Sequence, residues 1–223
     1  MKVISETGHS LTPPDQALAF FLSQAQCQTQ TELVPLLRAG GRVLAQDQCA
    51  QVFSPPANNS AVDGYAVNSH DLDMGTATCL PLQQRISAGE VGSALLRGSC
   101  ARIFTGAVLP DGADAVVMQE QCRVSAAGVM IPPVLSGENV RLRGEDFKQD
   151  DLLLRKGSVL YPQHVALLAA MGLAQVPVFK PLRIAVFSSG NELVEPGHAL
   201  APGQIFNSNR YLLASLLQQL GCD

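Results

Sequence analysis

The sequence predicts a mixed α and β chain of several small domains: a helical and β linker module carrying an inserted small β domain, followed by the start of a truncated α/β domain. Three observations predict it. Apolar residues recur at helical spacing near the beginning and again after residue 160. Between them lie short apolar runs punctuated by Gly, Pro, Asn and Asp. The last forty residues read as strand, loop and helix. The divisions fall at 1–53 for the first part of the linker module, 54–140 for the inserted β domain, 141–178 for the second part of the linker, and 179–223 for the α/β beginning.

The first helix opens at Thr12-Pro13-Pro14-Asp15, where a hydroxyl can cap free amides, proline suits the first turn and an acid complements the dipole. Ala17, Leu18, Phe21, Leu22 and Ala25 then share a face. A short helical stretch from Leu33 to Leu37 leads through Gly40-Gly41 into a strand-like run from Arg42 to Val52, which Pro55-Pro56 ends. In the β domain the apolar runs are Tyr65–Val67, Ala101–Phe104, Ala115–Met118 and Gly128–Ile131. Residues Asp150 to Leu160 read as a hairpin. Tyr161-Pro162 starts a helix through Val165, Leu168 and Ala169 that Gly172 stops. Arg183 to Phe187 reads as a short buried strand. Ser208 then caps a helix whose Leu212, Leu213, Leu216, Leu217 and Leu220 form one stripe, closed by Gly221. One strand-loop-helix unit cannot cover both faces of its strand, so the chain is expected to be a fragment of a longer protein.

Composition narrows the function classes. With 47% hydrophobic and only 15% charged residues in 223, core-forming material is ample, which excludes disorder as a class. A net charge of −4 supplies no phosphate-neutralising stripe, so no nucleic-acid partner is expected. The N-terminus lacks a signal-like apolar run, and the longest apolar tract, Val165 to Ala174, is about half the ~20 residues a bilayer span requires. A cytoplasmic protein without membrane attachment is the expectation. Six cysteines, more than twenty residues apart and without C-x-x-C spacing, fit reduced thiols better than a disulfide or zinc framework. His9, His70, His164 and His198 have no ligand-spaced companions.

Three polar clusters carry chemistry. In Asn58-Asn59-Ser60-Ala61-Val62-Asp63-Gly64-Tyr65, Asp63 reads either as an ionised carboxylate facing a cleft or as an Asp-Gly turn stabilised by its own side chain. In Arg102-Ile103-Phe104-Thr105-Gly106, a hydroxyl at a strand end stands beside a glycine that permits close approach by a ligand. The plainer alternative is an ordinary strand terminus. In Ser189-Gly190-Asn191-Glu192, Glu192 sits at the carboxyl end of an expected strand, where open sheets bind ligands, or is a solvated loop acid. The stretch Arg141 to Asp146 offers two arginines to an anion, or pairs its own charges.

Taken together the clusters resemble the molybdopterin molybdenumtransferase family, which includes the E domain of gephyrin. The resembling segments are Pro55 to Val67; Arg102 to Pro110, continuing through Gly112 to Glu120; Asn139 to Asp146; and Arg183 to Leu193, continuing through Gly203 to Arg210. They occur in the family's order. The resemblance implies insertion of molybdate at the dithiolene of adenylylated molybdopterin, with release of AMP and help from a divalent cation, Mg²⁺. It implies a homodimer whose site lies between the β domain of one subunit and the molybdopterin-binding α/β domain of the other. Molybdopterin adenylyltransferase and molybdoenzymes are the implied functional partners. By the same resemblance Asp63, Thr105 and Glu192 are catalytic, Ser189, Gly190, Asn207 and Asn209 bind the cofactor substrate, and Asp63, Glu192 and Asp146 supply metal ligands. Asn191 and Asn207 stand where the family commonly has aspartate, which removes negative charge from the cation's surroundings. By the same resemblance further site residues of the family lie beyond Asp223, so the fragment is expected to hold part of a site and to be inactive alone. The alternative is a family member that serves as a binding or scaffolding module.

Overall fold

A computed structural model describes residues 12–27 and 29–223. Expectations that touch residues 1–11, His9 among them, lie outside the described residues. In chain order the elements are α1 (Pro14–Gln24), β1 (Thr31–Pro35), β2 (Gln48–Cys49), β3 (Asn59–Ser60), β4 (Gly64–Val67), β5 (Thr78–Leu80), β6 (Leu82–Ile86), β7 (Cys100–Ile103) and β8 (Ala115–Met118). There follow β9 (Arg123–Ser125), β10 (Gly128–Ile131), β11 (Val140–Arg141), β12 (Leu152–Leu154), α2 (Pro162–Ala170), β13 (Gln175–Phe179), β14 (Leu193–Val194), β15 (Ile205–Phe206) and α3 (Ser208–Gln219). They form two compact units. One takes described residues up to 46 together with 159–161 and 175–223; the other takes 47–158 and 162–174.

The larger unit holds the expected short strands. Its central sheet has the order β6-β7-β4-β8, with β4 antiparallel to both neighbours and β6 parallel to β7. All four residues of β4 are buried, because alternate side chains feed two separate cores. Tyr65 and Val67 join Cys100, Ala115 and Val117 against Leu80, Val129 and Ile131 of the sheet β5-β10-β9. Ala66 joins Ala101, Ile103 and Val116 against Ile86, Leu95 and Ala107. Fully burying a Val or Ile contributes about 1.5–3 kcal/mol, so these layers fix the sheet that carries the loops described below. Gly172, at φ 82°, ends the turn after α2 as expected.

Several local expectations are corrected by long-range pairing. The stretch from Leu33 is not helical: β1 pairs along its full length with β13, Val34 opposite Val176, and only Leu36–Arg38 turns as a 3-10 helix. Helical spacing in five residues carries no information about a partner 140 residues away. The hairpin at 150–160 is absent; Leu152 pairs with Cys49 and Val159 with Val43, so each half pairs outward with the strand-like run rather than with the other half. At α1, Pro13 is the N-cap without a side-chain bond, so Thr12 does not cap, and none of the helix's side chains is buried.

In the smaller unit, Arg183 to Phe187 forms no strand, and Phe187 is 89% exposed. Among the described residues no neighbouring strand supplies the ladder that would define one. The segment is tied instead to the chain's last residue: the Asp223 carbonyl accepts from the Ile184 N–H at 2.8 Å, and the Asp223 N–H donates to the neighbouring Leu182 carbonyl at 2.8 Å. A two-residue parallel pair, β14 with β15, forms instead. Helix α3 is capped not by Ser208 but by Asn207, whose side chain accepts from the Arg210 N–H; Ser208 is the first helical residue. Its other end closes as expected. Gly221 at φ 76° lets its own N–H reach the Gln218 carbonyl and the Cys222 N–H reach that of Leu217, the paired bonds of a Schellman ending.

Candidate functional site

The motif residues of the larger unit are tied to one another by short polar contacts. The Ser60 N–H donates to the Ala107 carbonyl at 2.9 Å, and the Ser60 carbonyl accepts from the Gly106 N–H at 2.8 Å. The Ser60 hydroxyl donates to the Val62 carbonyl at 2.6 Å. Asn58 Oδ1 accepts from the Arg143 N–H at 2.8 Å, and Ala61 donates to the Asn139 carbonyl at 2.9 Å. The three motif segments around Asn58, Thr105 and Arg141 are thus held in one cluster of loops beside the central sheet. Asn58 and Ser60 act as staples, a role that local sequence did not disclose.

This stapling brings Asp63 and Thr105 together across 42 residues. Asp63 Oδ1 accepts from the Thr105 N–H at 2.9 Å and from the Thr105 hydroxyl at 2.7 Å. The two donors, the backbone N–H foremost and then the hydroxyl, hold the Asp63 pKa below its ordinary value, and Arg102 adds to the effect. Both contacts fall on Oδ1, leaving Oδ2 for a ligand. Gly64 does not make the turn that an Asp-Gly pair suggests. It is a strand residue whose absent Cβ matters because one placed there would lie 2.1 Å from the Val117 carbonyl oxygen.

Arg102 is the neighbour that sequence reasoning quoted without assigning a task. Its guanidinium donates to the carbonyls of Gly64 at 2.8 Å and Ile103 at 3.0 Å, and to Gln119 Oε1. It also lies over the rings of Phe104 and Tyr65. The signal was the Arg-x-Phe spacing on a strand, which sets guanidinium and ring on one face. Asp146, by contrast, is already engaged: Oδ2 accepts from the Ser54 hydroxyl at 3.0 Å and Oδ1 faces Arg141. Arg141 also pairs with Glu145, so the arginine meets its own segment's acids.

The remaining candidates lie in the smaller unit. The Glu192 carboxylate folds over Gly190, where an added Cβ would sit 2.6 Å from both its oxygens, while the Glu192 carbonyl accepts from Ile205 at 2.8 Å. Ser189, Gly190 and Asn209 are exposed. Asn207 is buried, with its N–H on the Val194 carbonyl at 2.9 Å, its side-chain oxygen on the helix cap and its carboxamide also hydrogen-bonded to Glu195. Beside them Glu195 accepts from Arg210 at 2.8 Å and from Tyr211 at 3.0 Å, which lowers its pKa.

Among the described residues no three His, Cys, Asp or Glu side chains converge to hold a metal by themselves. The donor set instead consists of single carboxylates with free oxygens. That fits a hard cation such as Mg²⁺, which binds through one or two carboxylates plus substrate phosphates and water. All six cysteines are free thiols, and no described helix is long and apolar enough to cross a membrane.

Residues 12–172 match the MoeA N-terminal region, domains I and II. A molybdopterin molybdenumtransferase of Haemophilus influenzae is 37% identical over 211 residues, which are 94% of this chain and 52% of the relative. One from a Nostoc species is 41% identical over 201 residues, covering 88% of this chain and 46% of its own length. The crystal structure of a molybdopterin biosynthesis MoeA protein from Pyrococcus horikoshii superposes with a TM-score of 0.85 at 34% identity, covering 94% of this chain and 57% of that one. The chain spans about half the length of the relatives it matches.

Proposed function

Because the chain belongs to the molybdopterin molybdenumtransferase (MoeA) family of molybdenum cofactor biosynthesis and carries that family's N-terminal region, we propose that its whole protein inserts molybdate into adenylylated molybdopterin and releases AMP. The observation that carries this reading is the Asp63–Thr105 pair. Two family motifs far apart in sequence deliver one oriented, ionised carboxylate with an oxygen to spare. We read the site as shared in a cytoplasmic homodimer, with the 54–140 β domain of one subunit facing the 179–223 segment of the other. Molybdopterin adenylyltransferase would supply its substrate and molybdoenzymes would receive its product.

In this reading Thr105 fixes the Asp63 carboxylate so that Oδ2 points to the ligand, and Glu192, folded over a glycine whose missing Cβ leaves room for its carboxylate, presents its oxygens to the cation. Asp63 and Glu192 would hold Mg²⁺; Asp146, with both oxygens engaged, would hold it less readily. When bound, the cation supplies charge neutralisation on the phosphate oxygens as the phosphoanhydride is cleaved. Ser189, Gly190 and Asn209 would contact the cofactor substrate, while Asn207 serves it by anchoring α3. A chain with half of the relatives' length is expected to be inactive alone.

The test is complementation in the full-length protein. Asp63→Asn and Glu192→Gln should each lower molybdenum insertion without changing the far-ultraviolet circular dichroism, and mixed dimers of the two should recover one working site. Verified heterodimers without any recovery would refute the shared site. Full activity of either single variant would remove that residue from the mechanism.

A further inference from the structure

We propose that Arg85, standing beside Arg102 against the Phe104 ring, is an oxyanion-binding arm of the Asp63–Thr105 site, taking a phosphate or molybdate group. The inference rests on the functional reading above and extends it to a residue outside the motifs that suggested it.

The placement follows from sheet register. Arg85 of β6 pairs with Arg102 of β7, which pairs with Tyr65 of β4. The three side chains therefore lie in one row on one face. It is the face that farther along the strands carries Cys100, Val67 and the core. The Arg85 guanidinium carbon lies 4.8 Å from the Phe104 centroid and that of Arg102 lies 4.4 Å from the same centroid. Like charges on adjacent strands destabilise a sheet. In a chain of net charge −4, two cations gathered on one ring need a reason.

For Arg102 the reason is structural, since its donors are occupied by Gly64, Ile103 and Gln119. Arg85 is different. It is exposed, and among the described residues it donates to no acceptor and meets no carboxylate within ion-pair distance. The Phe104 ring lies against its guanidinium, and a cation–π contact consumes none of the N–H donors, so the fork remains for a ligand. A planar fork beside a second fixed positive charge suits a dianionic oxyanion, which can accept two parallel hydrogen bonds. Arg85 stands two interstrand spacings, roughly 10 Å, from the strand that Asp63 precedes. A phosphoanhydride can bridge that span, and the long arginine side chain can bring its guanidinium to a smaller oxyanion lying within it. Asp63 would then address the cationic or hydrogen-bond-donating part of the ligand, and Arg85 its anionic part.

Equilibrium dialysis of the 223-residue chain against molybdate, inorganic phosphate and AMP tests this directly, without needing catalysis. Saturable binding of at least one probe is expected, weakened about tenfold by Arg85→Gln, the loss of one charge-assisted contact. Arg85→Lys should recover only part of it, because the ammonium lacks the fork. Arg97→Gln, which removes another exposed arginine of the same unit that is already paired with Asp71, should leave binding unchanged. Selective loss of AMP or of molybdate identifies which oxyanion is held. Equal binding by wild type and Arg85→Gln, or no saturable binding of any probe by the wild type, overturns the proposal. Neither result touches the Asp63 and Glu192 complementation, so the two readings fail separately.

Discussion

Replacing Gly64 by alanine should separate strands β4 and β8 and pull Asp63 from Thr105. An added Cβ would stand 2.1 Å from the Val117 carbonyl oxygen and 2.9 Å from Val116 Cγ1. Contacts below 3.0 Å are essentially never made by real Cβ atoms, so the strands must part by close to an ångström. The ladder they form runs from Gly64 opposite Met118 to Val67 opposite Ala115, and it lies between two filled cores that resist displacement. Overpacking of this kind costs typically 1–3 kcal/mol, and the obstruction here is backbone, which cannot rotate away. We expect about 3 kcal/mol, a fall in Tm of roughly 10 °C for a unit of this size. Thermal unfolding followed by circular dichroism gives the stability, and the amide resonance of Thr105 reports its bond to Asp63. Gly40→Ala is the control, since nothing lies within 4 Å of a Cβ there. An unchanged Tm for Gly64→Ala, with the Thr105 amide undisturbed, would refute the close-approach argument.

Thr105→Val removes the hydroxyl but keeps the N–H, so the Asp63 pKa should rise toward its ordinary 3.8 yet stay below it; carboxyl carbon shifts against pH decide, and no movement would deny the hydroxyl its role. Because the folded pKa is depressed, the stability from this contact is present above pH 3.8 and is lost as pH falls through the lower folded value. Thr105→Val should therefore flatten the acid limb of the stability curve. Asn207→Ala should weaken α3 by about 1 kcal/mol, read as faster amide exchange in residues 208–212, whereas Asn207→Asp should preserve the cap. Burial raises the Cys100 and Cys122 thiols to about 11 from 9.0, so at pH 8 they should alkylate about a hundredfold more slowly than a thiol of ordinary pKa; labelling of Cys100 as fast as free cysteine under the same conditions would contradict its burial.

What the sequence disclosed was whatever neighbouring residues decide. The runs at Tyr65–Val67, Ala115–Met118 and Gly128–Ile131 lie in strands because short apolar runs bounded by turn residues are written locally, and Gly172 and Gly221 end helices because their own φ is positive. What it hid depended on distant partners. β1 looked helical until β13 paired with it, and the two halves of 150–160 found β2 and Val43 rather than each other. The site divides the same way. Asp63 and Thr105 were visible as motifs, but their bond needs Ser60 to hold the loop, and Arg85 carries no motif at all because only strand register places it by Arg102.

The same distinction bears on whether the two asparagines mark a chain released from catalytic demands. At position 207 the side-chain oxygen is spent on the Arg210 N–H and the residue is buried, so its first duty is to start α3. Asparagine and aspartate cap helices about equally well. The cap alone would tolerate either residue, but only asparagine also has a side-chain N–H to give the Glu195 carboxylate, so Asn207 has a structural reason of its own and gives no support to a scaffold in place of an enzyme. Asn191 is exposed and precedes Glu192, so only there does the missing charge bear on a ligand. If Asn191→Asp strengthens Mg²⁺-dependent substrate binding in the full-length protein while Asn207→Asp leaves it unchanged, the loss of charge at position 191 alone tunes the site. Equal gains from both would mean that the Asn207 carboxamide faces the ligand and not only the helix.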